Sequence, residues 1–193
     1  SDPVPGGGSV AAHAGALAAA LAQMVAGLTI GKKKYSSVEP EMKEASLKAA
    51  ALGNQLAALV KRDAEAYAQV SEAYKLPKEP ADAAARRTSA VTNALVKAAE
   101  VPLETARAAV EVAQLAALVG EKGNTNAVTD AGVAALLAHA SARGAAYNVR
   151  VNVQAMEDKS RGEPLAREAE QLAKKAGELA ERTTAIVERA LSS

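Results

Sequence analysis

The chain has 193 residues, enough for one domain with a sizeable core. Lys plus Arg number 23 against 22 Asp plus Glu, a balance that points neither to nucleic acid nor to an anionic membrane surface. Cysteine is absent, which excludes disulfides and thiolate chemistry and fits a cytoplasmic location, while heavy alanine use without Phe or Trp favours helices packed through small side chains over a β fold.

The first segment, PVPGGGSVAAHAGALAAALAQM from Pro3 to Met24, carries three glycines before a long run of small apolar residues. Gly6, Gly7 and Gly8 allow another group to approach the main chain closely, and Ser9 is a good helix N-cap. The triplet therefore reads either as a turn with close helix contact or as a backbone cradle for an anion at a helix N-terminus. A Walker-type phosphate loop is excluded, because Gly8 leads to Ser9 and Val10 rather than to Lys-Ser/Thr. The first helix is predicted from Ser9 to Ile30, ending at Gly31. Its alanine and glycine content, with His13 and Gln23, marks a buried core helix rather than a membrane span. Ser1 follows no basic-then-apolar leader, and residues upstream of it are expected. GKKKY, Gly31 to Tyr35, places Lys32, Lys33 and Lys34 at the negative end of that helix, where they either rest in solvent or hold an anionic ligand tail.

The second helix is predicted from about Pro40 to Tyr74, stopped by KLPKEP. Leu52, Leu56, Leu59, Asp63, Ala66, Val70 and Ala73 trace one core-facing stripe, so Asp63 occupies a position that its neighbours fill with apolar side chains. Tyr67 and Tyr74 flank the same stripe with hydroxyls able to hydrogen-bond. A partly desolvated aspartate there is a candidate proton donor and acceptor; the alternative is a carboxylate paired with a cation of another helix. A third helix starts at Ala81, and Val101-Pro102 either kinks it or begins a fourth reaching Val119. After EKGNTNAVT, a helix from near Asp130 to about Met156 carries Ser141, Ala145, Asn148 and Asn152 on one side, with Arg150 close by on another. Its NVRVNV alternates like a strand but has no partner strand, and it is read as helical. Buried amides four residues apart either bond across helices or read the polar edge of a heterocycle. The last helix fills Pro164 to Leu191, with Glu170, Lys174, Glu178 and Arg182 spaced four apart. His13 and His139 lie far apart without ligand spacing, so no metal site is predicted. The predicted fold is all-α, one domain over residues 1–193, a single bundle of five to six long, mostly antiparallel helices.

Seven motifs in this order, PGGGSVAA, GKKKY, DAEAY, LPK, VPL, GNTNAVTD and NVRVN, resemble the cyclodeaminase/cyclohydrolase family. These folate enzymes occur alone in bacteria and as the C-terminal half of formiminotransferase-cyclodeaminase. The resemblance covers nearly the whole chain and implies an all-helical homodimer with a pocket for a reduced folate, and no cofactor beyond tetrahydrofolate as the substrate carrier. It places the catalytic proton donor and acceptor on Asp63. It implies that Gly6, Gly7, Gly8 and Ser9 meet the folate, that Lys32, Lys33 or Lys34 holds its glutamyl carboxylates, that Asn148, Arg150 and Asn152 meet its polar end, and that Tyr35, Tyr67, Asn124 and Asp130 complete the binding set. The implied reaction is closure of 5-formimidoyltetrahydrofolate to 5,10-methenyltetrahydrofolate with loss of ammonia; methenyltetrahydrofolate cyclohydrolase is the alternative. A non-catalytic helical scaffold would instead predict that Asp63 is salt-bridged and that no cavity adjoins it.

Overall fold

The computed structural model describes residues 6–192; Pro3 and Pro5 of the opening motif lie outside the described residues. Five α-helices form one bundle: α1 Gly7–Thr29, α2 Glu39–Tyr74, α3 Ala81–Lys122, α4 Val128–Gln154 and α5 Glu163–Leu191. Short 3-10 turns at Lys33–Val38 and Thr125–Ala127 join α1 to α2 and α3 to α4, and no strand occurs among the described residues. The core is built largely of alanine, with Met42, Leu56, Leu59 and Leu103 the largest fully buried side chains.

The helix ends follow their breakers. Gly31 takes φ 76°, a left-handed conformation that favours glycine and turns the chain out of α1. Pro40 sits in the first turn of α2, with Glu39 and Glu41 beside the positive end of its dipole. α1 begins at Gly7, two residues before the predicted start, so Gly6 rather than Ser9 is its N-cap and the Ser9 hydroxyl turns across to α2. NVRVNV is helical within α4.

Pro102 neither ends α3 nor begins a new helix; 42 residues run through it. A proline lacks the N–H that would bond the carbonyl four residues back, here Ala98. Asn152 of α4 donates its side-chain N–H to that carbonyl at 2.9 Å, which leaves no orphaned acceptor at the break.

α1 runs antiparallel along α4 at close range. A Cβ on Gly15 would meet Ser141 Oγ at 2.7 Å and Leu56 Cδ2 at 3.0 Å, and one on Gly144 would meet the Ala11 methyl at 3.3 Å. Small residues are thus what lets these backbones approach. α1 is long and apolar enough to cross a bilayer by length and composition, yet it lies packed against α2 and α4, with Ala12, Ala18, Val25 and Ala26 fully buried. α5 is tied to its neighbours by ion pairs: its Glu168 and Arg182 meet Arg107 and Glu121 of α3, and its Glu170 meets Arg143 of α4. The spacing-four series on α5 accordingly spends two of its members, Glu170 and Arg182, on other helices, while Lys174 and Glu178 pair along it.

Candidate active site

The seam position of Asp63 brings its carboxylate against the N-terminus of α1. Ser9 donates its hydroxyl to Asp63 Oδ2 at 2.8 Å, with the Val60 carbonyl as a second acceptor 3.2 Å from Ser9 Oγ. Gly8 faces the carboxylate so closely that a Cβ there would overlap Oδ1 and lie 2.7 Å from Cγ. The first N–H groups of a helix and the positive end of its dipole favour an anion at this point. The glycine cradle expected to meet a ligand anion is therefore already fronted by the protein's own carboxylate. Asp63 is half-buried and makes no ion pair among the described residues.

Beside it opens a cavity of about 410 Å³ between the N-terminus of α1, the C-terminal half of α2, α3 and the end of α4. Gly6, Gly7, Gly8, Ser9 and Asp63 form one wall, and Asn148 and Asn152 another. Tyr67, Val70, Tyr74, Leu95 and Val151 give it an apolar, partly aromatic flank, with Tyr67 and Tyr74 more than two-fifths exposed. A planar heterocycle fits a space of this size and lining. Asn148 donates one N–H to the Gly144 carbonyl at 2.8 Å, and Asn152 commits its amide nitrogen to Ala98 and Asn148 carbonyls, both at 2.9 Å. What Asn152 offers a ligand is thus its Oδ1, an acceptor. A cavity adjoins an aspartate that makes no ion pair among the described residues, contrary to what a bare scaffold predicts.

Seven of the residues expected to bind the same ligand do not line this cavity. Lys32, Lys33, Lys34 and Tyr35 lie beyond the C-terminus of α1, whose 23 residues span about 34 Å. The three lysines are exposed, with Lys34 over the Tyr35 ring at 5.2 Å. The Tyr35 hydroxyl pairs with Thr125 Oγ1 at 3.2 Å and accepts the Thr125 N–H at 3.1 Å, and these bonds hold the phenol below its ordinary pKa. Asn124 is a structural joint: its backbone N–H donates to Thr29 Oγ1, its amide to the Leu28 carbonyl, and its Oδ1 accepts from Asn126. Asp130 sits in the first turn of α4, where a carboxylate complements the helix dipole at the same distant end. Arg150 is exposed on α4 outside the cavity lining. Motif order could not reveal which end of a long helix each motif occupies.

The site also contains residues that the sequence reading passed over. Leu95 and Ala98 of α3 line the cavity, and Arg87, three turns before Ala98 on the same face, packs on Tyr74. The signal was present, since Arg87 interrupts the stripe Ala83, Val91, Ala94, Ala98 as Asp63 interrupts its own.

Residues 1–171 match the sequence profile of formiminotransferase-cyclodeaminase. A methenyltetrahydrofolate cyclohydrolase of Methylorubrum extorquens is 45% identical over 170 residues, which cover 88% of this chain and 82% of that protein. The formimidoyltransferase-cyclodeaminase of Rattus norvegicus is 36% identical over 154 residues, 80% of this chain but 28% of that much longer protein. The crystal structure of formiminotetrahydrofolate cyclodeaminase from Thermotoga maritima matches with a TM-score of 0.89 at 32% identity, covering 98% of this chain and 91% of that one.

Proposed function

The chain belongs to the formiminotransferase-cyclodeaminase family, and from that premise we propose that it hydrolyses the one-carbon bridge of 5,10-methenyltetrahydrofolate, with Asp63 moving the protons. The observation that carries this reading is the Asp63 carboxylate, without an ion pair among the described residues, hydrogen-bonded by Ser9 and set at the wall of the cavity. Water attacks the bridge carbon and passes a proton to Asp63; the tetrahedral carbon then loses its bond to N5, which takes the proton from Asp63, while the hydroxyl proton leaves to solvent. A formyl group remains on N10. One carboxyl group can serve both transfers in turn. The aromatic flank of Tyr67 and Tyr74 suits the flat rings of the folate, and the Asn152 Oδ1 and Asn148 amide suit its polar edge. The reduced folate is substrate and carrier together, and the scheme calls on no other cofactor.

Ring closure of 5-formimidoyltetrahydrofolate with loss of ammonia is the second reading, favoured by the fold match to the Thermotoga maritima enzyme. It uses the same carboxylate: N10 is the nucleophile and ammonia the leaving group. Hydrolysis is the favoured reading because the 45% identity extends over 88% of this chain and 82% of that relative. The two are separated by offering both substrates side by side and following methenyl-folate absorbance, which falls in hydrolysis and rises in cyclodeamination. A higher kcat/KM for the formimidoyl substrate reverses the order, and no change with either removes both readings.

The same proposal includes a homodimer, formed through the uncharged outer face of α1, and a cytoplasmic setting for the reaction. α1 carries no Asp, Glu, Lys or Arg along its 23 residues, yet Val10, Leu17, Met24 and Leu28 are each more than two-fifths exposed.

A further inference from the structure

We propose that Arg87 is the anion-binding residue of this cavity and takes a carboxylate of the folate's glutamate. The inference rests on the folate reading above and moves the anionic subsite from the lysines after α1 to the mouth beside Tyr74.

Arg87 is half-buried on α3, whereas its neighbour Arg86 is exposed and paired with Asp82. Its guanidinium carbon lies 5.5 Å from the centre of the Tyr74 ring, and Nε and Nη2 donate to the Tyr74 carbonyl at 3.4 and 3.3 Å. These contacts hold the planar fork against a side chain that lines the cavity. They use two of its five N–H donors, and no carboxylate of the described residues pairs with it. A guanidinium oriented on Tyr74, with three further donors that no described residue takes, suits bidentate binding of a carboxylate.

The spacing fits one ligand. Asp63 and Tyr74 lie eleven residues apart on α2, about 16 Å along the axis, and Ala98 and Arg87 repeat that interval on antiparallel α3. Asp63 and Tyr74 thus lie towards opposite ends of the cavity wall, with Arg87 just outside the lining against Tyr74, a separation that an extended p-aminobenzoylglutamate arm bridges when N10 is held near Asp63. The ring passes the Tyr67 and Tyr74 flank between them.

The test compares 5,10-methenyltetrahydrofolate with 5,10-methenyltetrahydropteroate, which lacks the glutamate, as substrates of the full chain. Wild-type protein should show a KM about tenfold to a hundredfold lower for the folate, the worth of a charge-assisted pair. Arg87→Gln should bring that ratio close to one by raising the folate KM, Arg87→Lys should restore part of it, and Lys32→Ala should retain it. A purely structural Arg87 would raise both KM values together and keep the ratio, which overturns the proposal, as does a wild type that does not distinguish the two. Failure of the folate reading itself gives a different result: neither compound is turned over by wild type or inhibits it.

Discussion

Asp63 and Gly8 act as one unit, because the carboxylate occupies the space that a side chain at residue 8 would need. Asp63→Asn keeps the size and an oxygen for the Ser9 hydroxyl but cannot carry the proton. Turnover of methenyltetrahydrofolate should fall by roughly 10²- to 10⁴-fold. The melting midpoint should hold, since no cation is left stranded in the described structure. Near-normal turnover in this variant would remove Asp63 from the chemistry. Gly8→Ala asks the complementary question with the acid still present: its Cβ would sit 2.8 Å from Asp63 Oδ2, so the carboxylate must swing away. Its kcat should drop at least about tenfold, as misplacement of a reacting group predicts. Gly53→Ala is the control, with a new methyl only 3.6 Å from that of Ala19, an ordinary contact, and its turnover should match wild type. Equal kcat in the two alanine variants would show that the close approach at Gly8 does not position the acid.

At the level of the helix, Pro102 and Asn152 form a pair whose logic is a single carbonyl. The proline leaves the Ala98 oxygen without its helical donor, and Asn152 supplies one from 54 residues away in sequence. Asn152→Ala should cost about 1–3 kcal/mol, the penalty for a buried acceptor left unmade. In a Pro102→Ala background residue 102 regains its N–H, so the same truncation should cost markedly less, and urea denaturation of the four variants measures the difference. Additive costs would mean that the carbonyl is satisfied in some other way. This pair also marks where sequence patterning stops. Gly31, Pro40 and the KLPKEP break delimit their helices by local chemistry and were readable from the chain. The continuity of α3 was not, because the donor that permits it belongs to a helix whose position depends on the whole bundle. The stripe on α2 made Asp63 conspicuous for a local reason too: a charged residue stands where period and neighbours demand an apolar one. Asn124 and Asp130 look equally functional as a motif, but their hydrogen bonds and helix position tie them to the far end of α1.

Across the whole molecule, the antiparallel register of α1 and α4 aligns two exposed apolar rows. The close approaches of Gly7 to Asn148, Ala11 to Gly144 and Gly15 to Ser141 set Val10 within a turn of the level of Tyr147, and Met24 at the level of Val133. Leu17 lies midway along α1, near the level of Leu136. Leu17, Leu136 and Tyr147 are each about half exposed, and the rows extend to Val151, which also lines the cavity. Monomers rarely leave so long an apolar face open, and a two-fold partner presenting the same face covers it most simply. Charge placed at its middle should be decisive, since a glutamate brought close to its symmetry mate would be desolvated without a partner. Wild-type protein at micromolar concentration should therefore sediment as a dimer and Leu17→Glu as a monomer, with unchanged helical content by circular dichroism. Leu47→Glu, at a residue 74% exposed on α2 and in neither row, should leave the dimer intact. A monomeric wild type would refute the assembly outright. A dimer that survives Leu17→Glu but not Leu47→Glu would place the interface on α2 instead.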